Sequence, residues 1–258
     1  MYKRQHLDSG RPWPVASGLE VPAAYQQALA VRALRLARGE QPCGFKVGFT
    51  NRTIWARYGV YAPIWGTVWN TTLSFCEDEG ELSLAHTAQP RLEPECVFGF
   101  RDTPPARAGL DELLASVDWI APGFEIVQSH MRDWKFTAGD TVADSGLHAR
   151  LLVGHMIPVA HFPREAEVFD RLLAQARVTL LQGEDAVDTG TGANVLDGPL
   201  HALLHFVTEL RDCPGAPDLQ PGDVVTTGTW TDAWPVRPGE TWRADFDAPL
   251  APLTVRFT

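Results

Sequence analysis

The sequence predicts an α+β fold, because it combines a helical N-terminal segment with a second half that is largely of the strand type. Residues 21–38 place apolar side chains at helical spacing, with Pro22 suited to the first turn and Gly39 to the end. The second half alternates short apolar runs with turn signals, which is typical of β-strands. One helix interrupts these runs, with Asp197 as its expected N-cap and an apolar stripe over residues 200–210.

The other elements that matter for the site lie in the first half of the chain. Residues 44–49 and 91–100 have the pattern of strands, residues 110–119 that of a helix, and residues 124–128 that of another strand. No repeat or long linker divides the chain, so residues 1–258 are best treated as one domain. Within it, residues 1–75 are a small helical region that carries the 44–49 strand, and residues 76–258 are the β-rich catalytic region.

Composition and charge argue against several classes of function. The net charge of −10 argues against a nucleic-acid partner, because phosphate binding needs a basic surface. No apolar run is long enough to cross a bilayer, and the first 20 residues lack the apolar block of a signal peptide. The four cysteines form no Cys-x-x-Cys pair and are expected to be reduced. We therefore expect a cytoplasmic protein that binds neither nucleic acid nor membrane.

Three glutamates in apolar strands are the candidates for a metal site. Glu93 and Glu95 are two residues apart, so both side chains lie on one face of the 91–100 strand, and Glu125 lies in the next strand. Carboxylates inside strands are unfavourable unless a cation neutralises them, and an all-oxygen ligand set suits Mg²⁺ or Mn²⁺ better than Zn²⁺. The alternative is a strand with one wet face, because exposed glutamates are common. The spacing alone does not decide between these interpretations.

Lys46 is the candidate cation of the site. It is one of three lysines in the chain and lies in an apolar strand, between Gly44 and Gly48, which allow a ligand to approach closely. Such a lysine can neutralise a substrate carboxylate or, at a lowered pKa, transfer a proton. In the alternative interpretation, its stem lies on apolar surface and its ammonium group is in water.

Three further segments and one histidine pair carry groups that can bind a ligand. Residues 140–148 and 226–232 are rich in small polar side chains, which either donate hydrogen bonds to a ligand or form turns. Residues 190–199 form a Gly-rich loop before a helix but match neither a Walker loop nor a dinucleotide fingerprint. His201 and His205 have the spacing of two zinc ligands, but no glutamate follows His201 as in His-Glu-x-x-His, which disfavours a metal role.

The order of these motifs resembles that of one enzyme family. The matching segments are GFKVGFT at 44–50, RLEPE at 91–95, FEIV at 124–127, DTVAD at 140–144, residues 192–202, and GDVVTTGT at 222–229. Together they resemble the hydratase and decarboxylase branch of the fumarylacetoacetate hydrolase superfamily, from about Tyr25 to the C-terminus. The resemblance implies the mixed β-roll of that superfamily's C-terminal type, with peripheral helices.

The resemblance also implies a metal site and a substrate class. Glu93, Glu95 and Glu125 match the ligands of Mg²⁺, with Mn²⁺ as the alternative ion, and Lys46 matches the family's active-site lysine. The ion would chelate the 2-oxo oxygen and the C1 carboxylate of a small 2-oxo or 2-hydroxydienoate acid and act as an electron sink. Family members form homo-oligomers, so a homo-oligomer is expected here.

Further site residues follow from the same resemblance. Those expected to take part in catalysis together with Lys46 are Asp144 and Ser145. Those expected to bind the substrate are Phe49, Gln128, Gly228 and Thr229. All of them lie in the matched segments or next to one.

Two reactions fit the resemblance. The favoured one is hydration of a 2-hydroxy-2,4-dienoate to a 4-hydroxy-2-oxo acid in aromatic catabolism, because residues 227–235 look like the matching segment of a hydratase that acts on oxo-heptenedioate. The alternative is a 4-oxalocrotonate-type decarboxylase, favoured by Ile64, which stands where many hydratases carry an acidic residue. Ser145 also departs from the family's usual Ala-Asp-Asn. An alternative of another class is a non-catalytic relative that binds an oxo acid or assembles with a partner subunit.

Overall fold

The computed structural model describes residues 9–13 and 15–258. Within them the α-helices are α1 (Val21–Ala37), α2 (Trp55–Tyr58), α3 (Leu110–Ala115), α4 (Ala138–Ala143), α5 (Ala166–Gln175) and α6 (Pro199–Asp212). The strands are β1 (Pro42–Gly48), β2 (Ile64–Trp69), β3 (Leu73–Phe75), β4 (Glu79–Leu82), β5 (Arg91–Phe100), β6 (Val117–Val127), β7 (His148–Val153), β8 (Ile157–Pro158), β9 (Arg177–Gln182), β10 (Asp185–Thr191), β11 (Val224–Thr229), β12 (Trp234–Pro235), β13 (Thr241–Phe246) and β14 (Leu253–Phe257).

The strands form two mixed sheets. The larger sheet has nine strands, with the main order β2-β1-β11-β5-β6-β7-β3, while β12 pairs with β5 and β8 pairs with β6. The smaller sheet has five strands in the order β10-β9-β13-β14-β4. Parallel pairs, such as β1 with β11 and β3 with β7, occur beside antiparallel ones. The predicted α+β class, a mixed β-roll with peripheral helices, is confirmed.

Packing of the helices on β1 and β2 sets the direction of Lys46. Phe45 of β1 packs against Phe206 of α6, with ring centroids 5.4 Å apart, and against Trp65 of β2 at 5.8 Å. Each such buried aromatic side chain stabilises the fold by about 1.5–3 kcal/mol. Because side chains alternate along a strand, Lys46 points to the opposite face from Phe45. Because Phe45 is held by apolar contacts on one face of β1, Lys46 is directed to the opposite face.

Helices α3 and α5 differ from the sequence-based prediction. α3 ends at Ala115 and not at residue 119, because β6 begins at Val117 and pairs with β5 along its whole length. The register of that pairing extends the strand predicted at 124–128 by seven residues toward the N-terminus. The helix α5 is absent from the sequence-based prediction, although Ala166, Phe169 and Leu173 form its buried stripe.

The predicted N-cap of α6 is wrong. Gly198, and not Asp197, occupies that position, and the Asp197 side chain instead pairs with Arg52. A carboxylate of α5 takes over the capping role, since Asp170 Oδ1 accepts a hydrogen bond from the backbone N–H of Leu200 at 2.7 Å. Only the packing of two helices brings this acceptor to the helix end.

The described helices contain no segment that is long and apolar enough to cross a membrane. The division of the chain near residue 75 stays a prediction. In the structure, β1 and β2 of the first region pair within the same sheet as β5, β6 and β11 of the second.

Candidate metal and active site

The three predicted glutamates converge on one point of the larger sheet. Glu93 of β5 lies directly opposite Glu125 of β6 in the antiparallel pairing, and Glu95 lies opposite Gly123. One oxygen of each carboxylate lies within 4.8 Å of the others. Glu95 and Glu125 are fully buried and Glu93 is half-buried, so this face of β5 is not a wet surface. Like charges directly across a strand pair are destabilising, and either bound protons or a cation would offset them.

Two of the carboxylate oxygens have no hydrogen-bond partner. Glu95 Oε2 accepts a hydrogen bond from the backbone N–H of Gly228 at 2.5 Å, and Glu125 Oε1 accepts one from His148 Nδ1 at 3.0 Å. The second oxygen of each, Glu95 Oε1 and Glu125 Oε2, is buried without a hydrogen bond. A buried acceptor without a partner costs about 1–3 kcal/mol, and more when it is charged. These two oxygens, of which Glu125 Oε2 also lies 3.2 Å from Lys46 Nζ, form with Glu93 an all-oxygen ligand set that fits Mg²⁺ or Mn²⁺.

The pKa values of the three carboxyl groups differ because their neighbours differ. Burial raises the pKa of Glu93 to about 7, against the attraction of Lys46. Burial also raises the pKa of Glu95, and the negative charges of Glu125 and Glu93 raise it further. The pKa of Glu125 is lowered, because Lys46 and His148 together outweigh the effect of its burial. Without a metal ion, this site therefore retains protons near neutral pH.

Lys46 lies beside this cluster and not in water. Its Nζ is 3.2 Å from Glu125 Oε2, and its side chain is only 3% exposed. Burial alone would lower the pKa of Lys46, but the charges of Glu125, Glu93 and Glu95 outweigh it, and the pKa is raised. The lysine is therefore an ammonium cation and a proton donor. Gly146 covers its stem at a left-handed φ of 67°, where a Cβ would come within 3.0 Å of Lys46 Cδ.

His148 is a buried partner of the cluster that the sequence reasoning did not assign to the site. Its Nδ1 is 3.0 Å from Glu125 Oε1 and its Nε2 is 2.8 Å from Thr72 Oγ1. Burial lowers the pKa of His148, so the ring is neutral. A carboxylate only accepts hydrogen bonds, so the ring proton belongs on Nδ1 and Nε2 accepts from the Thr72 hydroxyl. In the sequence, His148 is only a single histidine in the polar segment 140–148, and nothing in that pattern shows that its partner is Glu125.

A cavity of about 290 Å³ opens above Lys46 and Glu93. One wall is a continuous row of aromatic rings with centroid distances of 5.0 Å for Phe49 to Tyr58, 5.6 Å for Tyr58 to Phe136 and 6.0 Å for Phe136 to Trp134. Ile64, 4% exposed, also lines the cavity, and Arg57 and Arg91 line it as well. The cavity thus has a charged inner end, a flat apolar wall and two cations. This combination suits a small, planar, anionic molecule.

Three of the four predicted substrate-binding residues line this cavity: Phe49, Gly228 and Thr229. Gly228 has a φ of 102° and packs so closely on Thr50 that a Cβ would come within 1.9 Å of its Oγ1. That backbone conformation lets its N–H reach Glu95. The fourth, Gln128, does not line the cavity: its buried amide accepts from the backbone of Ala88 and donates to the carbonyl of His148.

Asp144 and Ser145 also lie outside this cavity. Asp144 is fully buried and pairs with His130, with 2.7 Å between Oδ1 and Nδ1. Ser145 faces two smaller cavities on the α1 side of β2, while its neighbours Gly146 and Leu147 line the large one. From these positions Asp144 and Ser145 can hold the 144–148 segment in place, but they do not reach a substrate in the cavity.

The histidine pair on α6 does not form a metal site. His201 Nδ1 is 2.5 Å from Asp170 Oδ2, which ties α6 to α5. In the part of the chain that the structure describes, Glu93, Glu95 and Glu125 are the one group of three or more potential ligands found within reach of one another. The disfavoured zinc interpretation thus gains no support.

Relatives of known function are similar over nearly the whole chain. A 4-oxalocrotonate decarboxylase of Pseudomonas sp. is 33% identical over 248 residues, which cover 93% of this chain and 91% of the relative. A 2-hydroxyhexa-2,4-dienoate hydratase of Comamonas testosteroni is 30% identical over 227 residues, 86% of this chain and 81% of the relative. A 2-keto-4-pentenoate hydratase of Burkholderia vietnamiensis is 29% identical over 227 residues, 87% and 81% of the two chains. No family model matches the chain.

Solved structures share the fold. The 4-oxalocrotonate decarboxylase from Pseudomonas putida G7, complexed with magnesium and adipate, has a TM-score of 0.86 at 21% identity and covers 100% of this chain and 96% of its own. The fumarylpyruvate hydrolase from Pseudomonas aeruginosa, in complex with Mn²⁺ and pyruvate, has a TM-score of 0.61 at 16% identity over 83% and 88% of the two chains. At these identities the likeness concerns the fold alone.

Proposed function

This chain belongs to the hydratase and decarboxylase branch of the fumarylacetoacetate hydrolase superfamily, and on that premise we propose that it is a metal-dependent hydratase. It would add water to a 2-hydroxy-2,4-dienoate to give a 4-hydroxy-2-oxo acid. The observation that carries the proposal is the cluster of Glu93, Glu95 and Glu125, in which Glu95 has a buried oxygen without a partner and Glu125 is paired with the ammonium group of Lys46.

Glu93, Glu95 and Glu125 would hold Mg²⁺ or Mn²⁺. His148 and the backbone of Gly228 orient two of these carboxylates, as partners of metal ligands commonly do. The bound ion supplies Lewis-acid stabilisation of negative charge on the 2-oxo oxygen of the substrate. Support comes from the fold relatives complexed with magnesium and with Mn²⁺.

Lys46 is the residue that we assign to proton transfer. In the hydration, a proton reaches C5 as the dienol becomes a ketone, water then adds to C4, and a further proton reaches C3. Lys46 lies at the inner end of the cavity and holds a proton at Nζ, because the surrounding carboxylates raise its pKa. An ion bound by those carboxylates would offset their charge and lower the pKa of Lys46 toward the range in which the ammonium group can give up its proton. The aromatic wall would lie along the conjugated chain and exclude other water, so that protons are exchanged at the lysine end.

A 4-oxalocrotonate-type decarboxylase is the second candidate, and Ile64 is the observation that favours it. Ile64 is buried near the Lys46 ammonium group. Its side chain has no acidic or basic group, so it cannot activate water. Loss of CO₂ needs no added water: the bond between C5 and its carboxyl carbon breaks, CO₂ leaves, and the electron pair enters the conjugated dienolate. The relative with 33% identity is named for this reaction.

Product analysis tests both reactions on the same preparation. The purified protein with Mg²⁺ would be incubated separately with 2-hydroxypenta-2,4-dienoate and with 4-oxalocrotonate, and the products followed by ¹H and ¹³C NMR. Formation of 4-hydroxy-2-oxopentanoate from the first substrate supports the hydratase, and release of CO₂ from the second supports the decarboxylase.

Variants connect the result to the metal site. Glu95→Gln removes one ligand charge and is expected to abolish either activity, whereas Glu167→Gln, on the exposed side of α5, is the matched control and should keep full activity. Turnover by the metal-loaded protein of neither 4-oxalocrotonate nor any 2-hydroxy-2,4-dienoate, with one carboxylate or two, would refute both proposals and favour a non-catalytic oxo-acid-binding protein.

We also propose that the protein works in the cytoplasm as a homo-oligomer with a small-molecule substrate. Support comes from the family resemblance, in which homo-oligomers are usual. Light scattering on the purified protein tests the assembly: a mass of at least twice the 28.4 kDa of the chain supports it, and a monomer at micromolar concentration contradicts it.

A further inference from the structure

Two arginines line the cavity without a carboxylate partner. Arg57 projects from α2 and is exposed, and Arg91 begins β5 and is half-buried. Arg91 donates to the carbonyl oxygen of Ala233 at 3.4 Å, and neither arginine forms an ion pair with any residue that the structure describes. From these positions we infer that Arg57 and Arg91 bind a second carboxylate at the far end of the substrate, so that the preferred substrate is a dicarboxylic 2-oxo acid or its dienol.

Most of the other arginines with described contacts are used differently. Ion pairs with aspartate or glutamate are formed by Arg35, Arg38, Arg52, Arg101, Arg211, Arg243 and Arg256. Other arginines without an ion pair among the described residues, such as Arg107 and Arg171, do not line this cavity, whereas Arg57 and Arg91 do. Asp232 also lines the cavity but pairs with neither arginine. The two cations are therefore available to an anionic ligand.

The charges of the inner end do not need these arginines. Lys46 and a divalent cation together balance the three negative charges of Glu93, Glu95 and Glu125. The positive charge that Arg57 and Arg91 bring to the cavity is thus in excess, and a substrate with a single carboxylate at the metal end would leave it uncompensated.

The aromatic wall fixes where the two guanidinium groups stand. The Arg91 guanidinium lies over the ring of Trp134, 4.3 Å from its centroid, and that of Arg57 lies 5.5 Å from the ring centroid of Tyr58. Both rings belong to the row that begins at Phe49. Cation–π contacts restrict the positions of guanidinium groups and leave their N–H donors free for a carboxylate. A conjugated chain lying along this wall would bring its far end toward these donors.

The inference rests on the proposed function and bears on its two reactions. A carboxylate held by arginines is stabilised as an anion before the reaction, and its loss as CO₂ must break that interaction, which raises the barrier. Hydration leaves the far carboxylate intact, so the same contact only adds binding. A dicarboxylic dienoate that undergoes hydration would therefore keep this contact throughout the reaction, whereas 4-oxalocrotonate, which is also dicarboxylic, would bind through it and then lose it.

A matched pair of unreactive ligands tests the inference without turnover. 2-Oxoadipate and 2-oxohexanoate have the same chain length and the same metal-binding end, and only the first has a far carboxylate. Calorimetry on the Mg²⁺-loaded protein is expected to show tighter binding of 2-oxoadipate by about tenfold or more, as for a charge-assisted contact. In Arg57→Gln and Arg91→Gln this preference should fall to within about threefold, with the affinity for 2-oxohexanoate unchanged.

Arg52→Gln is the matched control, because Arg52 lies in the same segment, pairs with Asp197 and does not line the cavity. It should keep the wild-type preference. Equal affinities for the two ligands in the wild-type protein, or a preference that persists in both variants, would overturn the inference. Because the measurement needs no reaction, absence of turnover with a preserved 2-oxoadipate preference would count against the proposed function alone.

Discussion

The inner and outer ends of the cavity are built differently. At the inner end, Glu93, Glu95, Glu125 and Lys46 come from three strands of the larger sheet, and hydrogen bonds or ion pairs hold the last three in place. At the outer end, Arg57 comes from a helix of four residues and is exposed to solvent. The inner end cannot lose a group without leaving a buried charge unpaired, whereas an exposed side chain on a short helix can change at little cost.

This difference separates chemistry from substrate choice. Groups on the sheet are positioned by strand pairing and burial, so we expect their substitution to change metal affinity and turnover by large factors. Arg57, on the segment between β1 and β2, lines the cavity and forms no ion pair with the described residues, so its substitution should change the choice of ligand and little else. Four predictions test the contrast, from the largest expected effect to the smallest.

Substitution of Lys46 should give the largest effect. Lys46→Met keeps much of the side-chain volume but removes the proton and the charge, and kcat should fall about 10²- to 10⁴-fold with the preferred substrate. The three carboxylates remain, so Mn²⁺ should still bind in calorimetry. Lys135→Met, at an exposed position, is the control. Activity of Lys46→Met within tenfold of wild type would exclude the assigned role in proton transfer.

Loss of the hydrogen bond between His148 and Glu125 should weaken metal binding and leave the outer end of the cavity unchanged. In His148→Asn, Glu125 loses the hydrogen bond at 3.0 Å that orients it, and the Kd for Mn²⁺ should rise about 10- to 100-fold. His155→Asn, which changes an exposed histidine paired with Glu77, should leave this Kd unchanged. An unchanged Kd in His148→Asn would mean that Glu125 needs no such support.

Metal affinity should fall as the pH falls. Burial raises the pKa of Glu93 to about 7, and metal binding requires the deprotonated carboxylate, so protons compete with the ion below that pH. For one displaced proton, the Kd for Mn²⁺ should be about tenfold higher at pH 6 than at pH 8. The pKa of Lys46 is raised, so its charge is the same at both values. Calorimetry at the two pH values measures the change, and a constant Kd would contradict the prediction.

Substitution at the outer end should barely affect stability. Arg57→Gln removes no hydrogen bond or ion pair of the described residues and only an exposed cation–π contact with Tyr58, so the free energy of unfolding should stay within about 1 kcal/mol of wild type. Urea unfolding of the metal-free protein measures it. A loss of more than about 2 kcal/mol would mean that Arg57 helps to hold the fold, and the contrast between the two ends would fail.

Much of the candidate site could be predicted from short-range patterns. Alternation along β5 places Glu93 and Glu95 on one face, and alternation along β1 places Lys46 opposite Phe45. These relations are local, and the structure agrees with them. The predicted roles of Asp144, Ser145 and Gln128 rested on their place in or next to matched segments, which does not show which way a side chain points. Their catalytic and binding roles stay predictions that the geometry does not favour.

The rest depended on contacts between distant segments. Glu125 stands opposite Glu93 because β5 and β6 pair in one register out of several, and that register is set by the burial of whole strands. His148 reaches Glu125 from the neighbouring strand, and Asp170 caps α6 from another helix. Local composition can show that such polar groups exist, but burial makes each of them require a partner, and only the packed chain decides which one it finds.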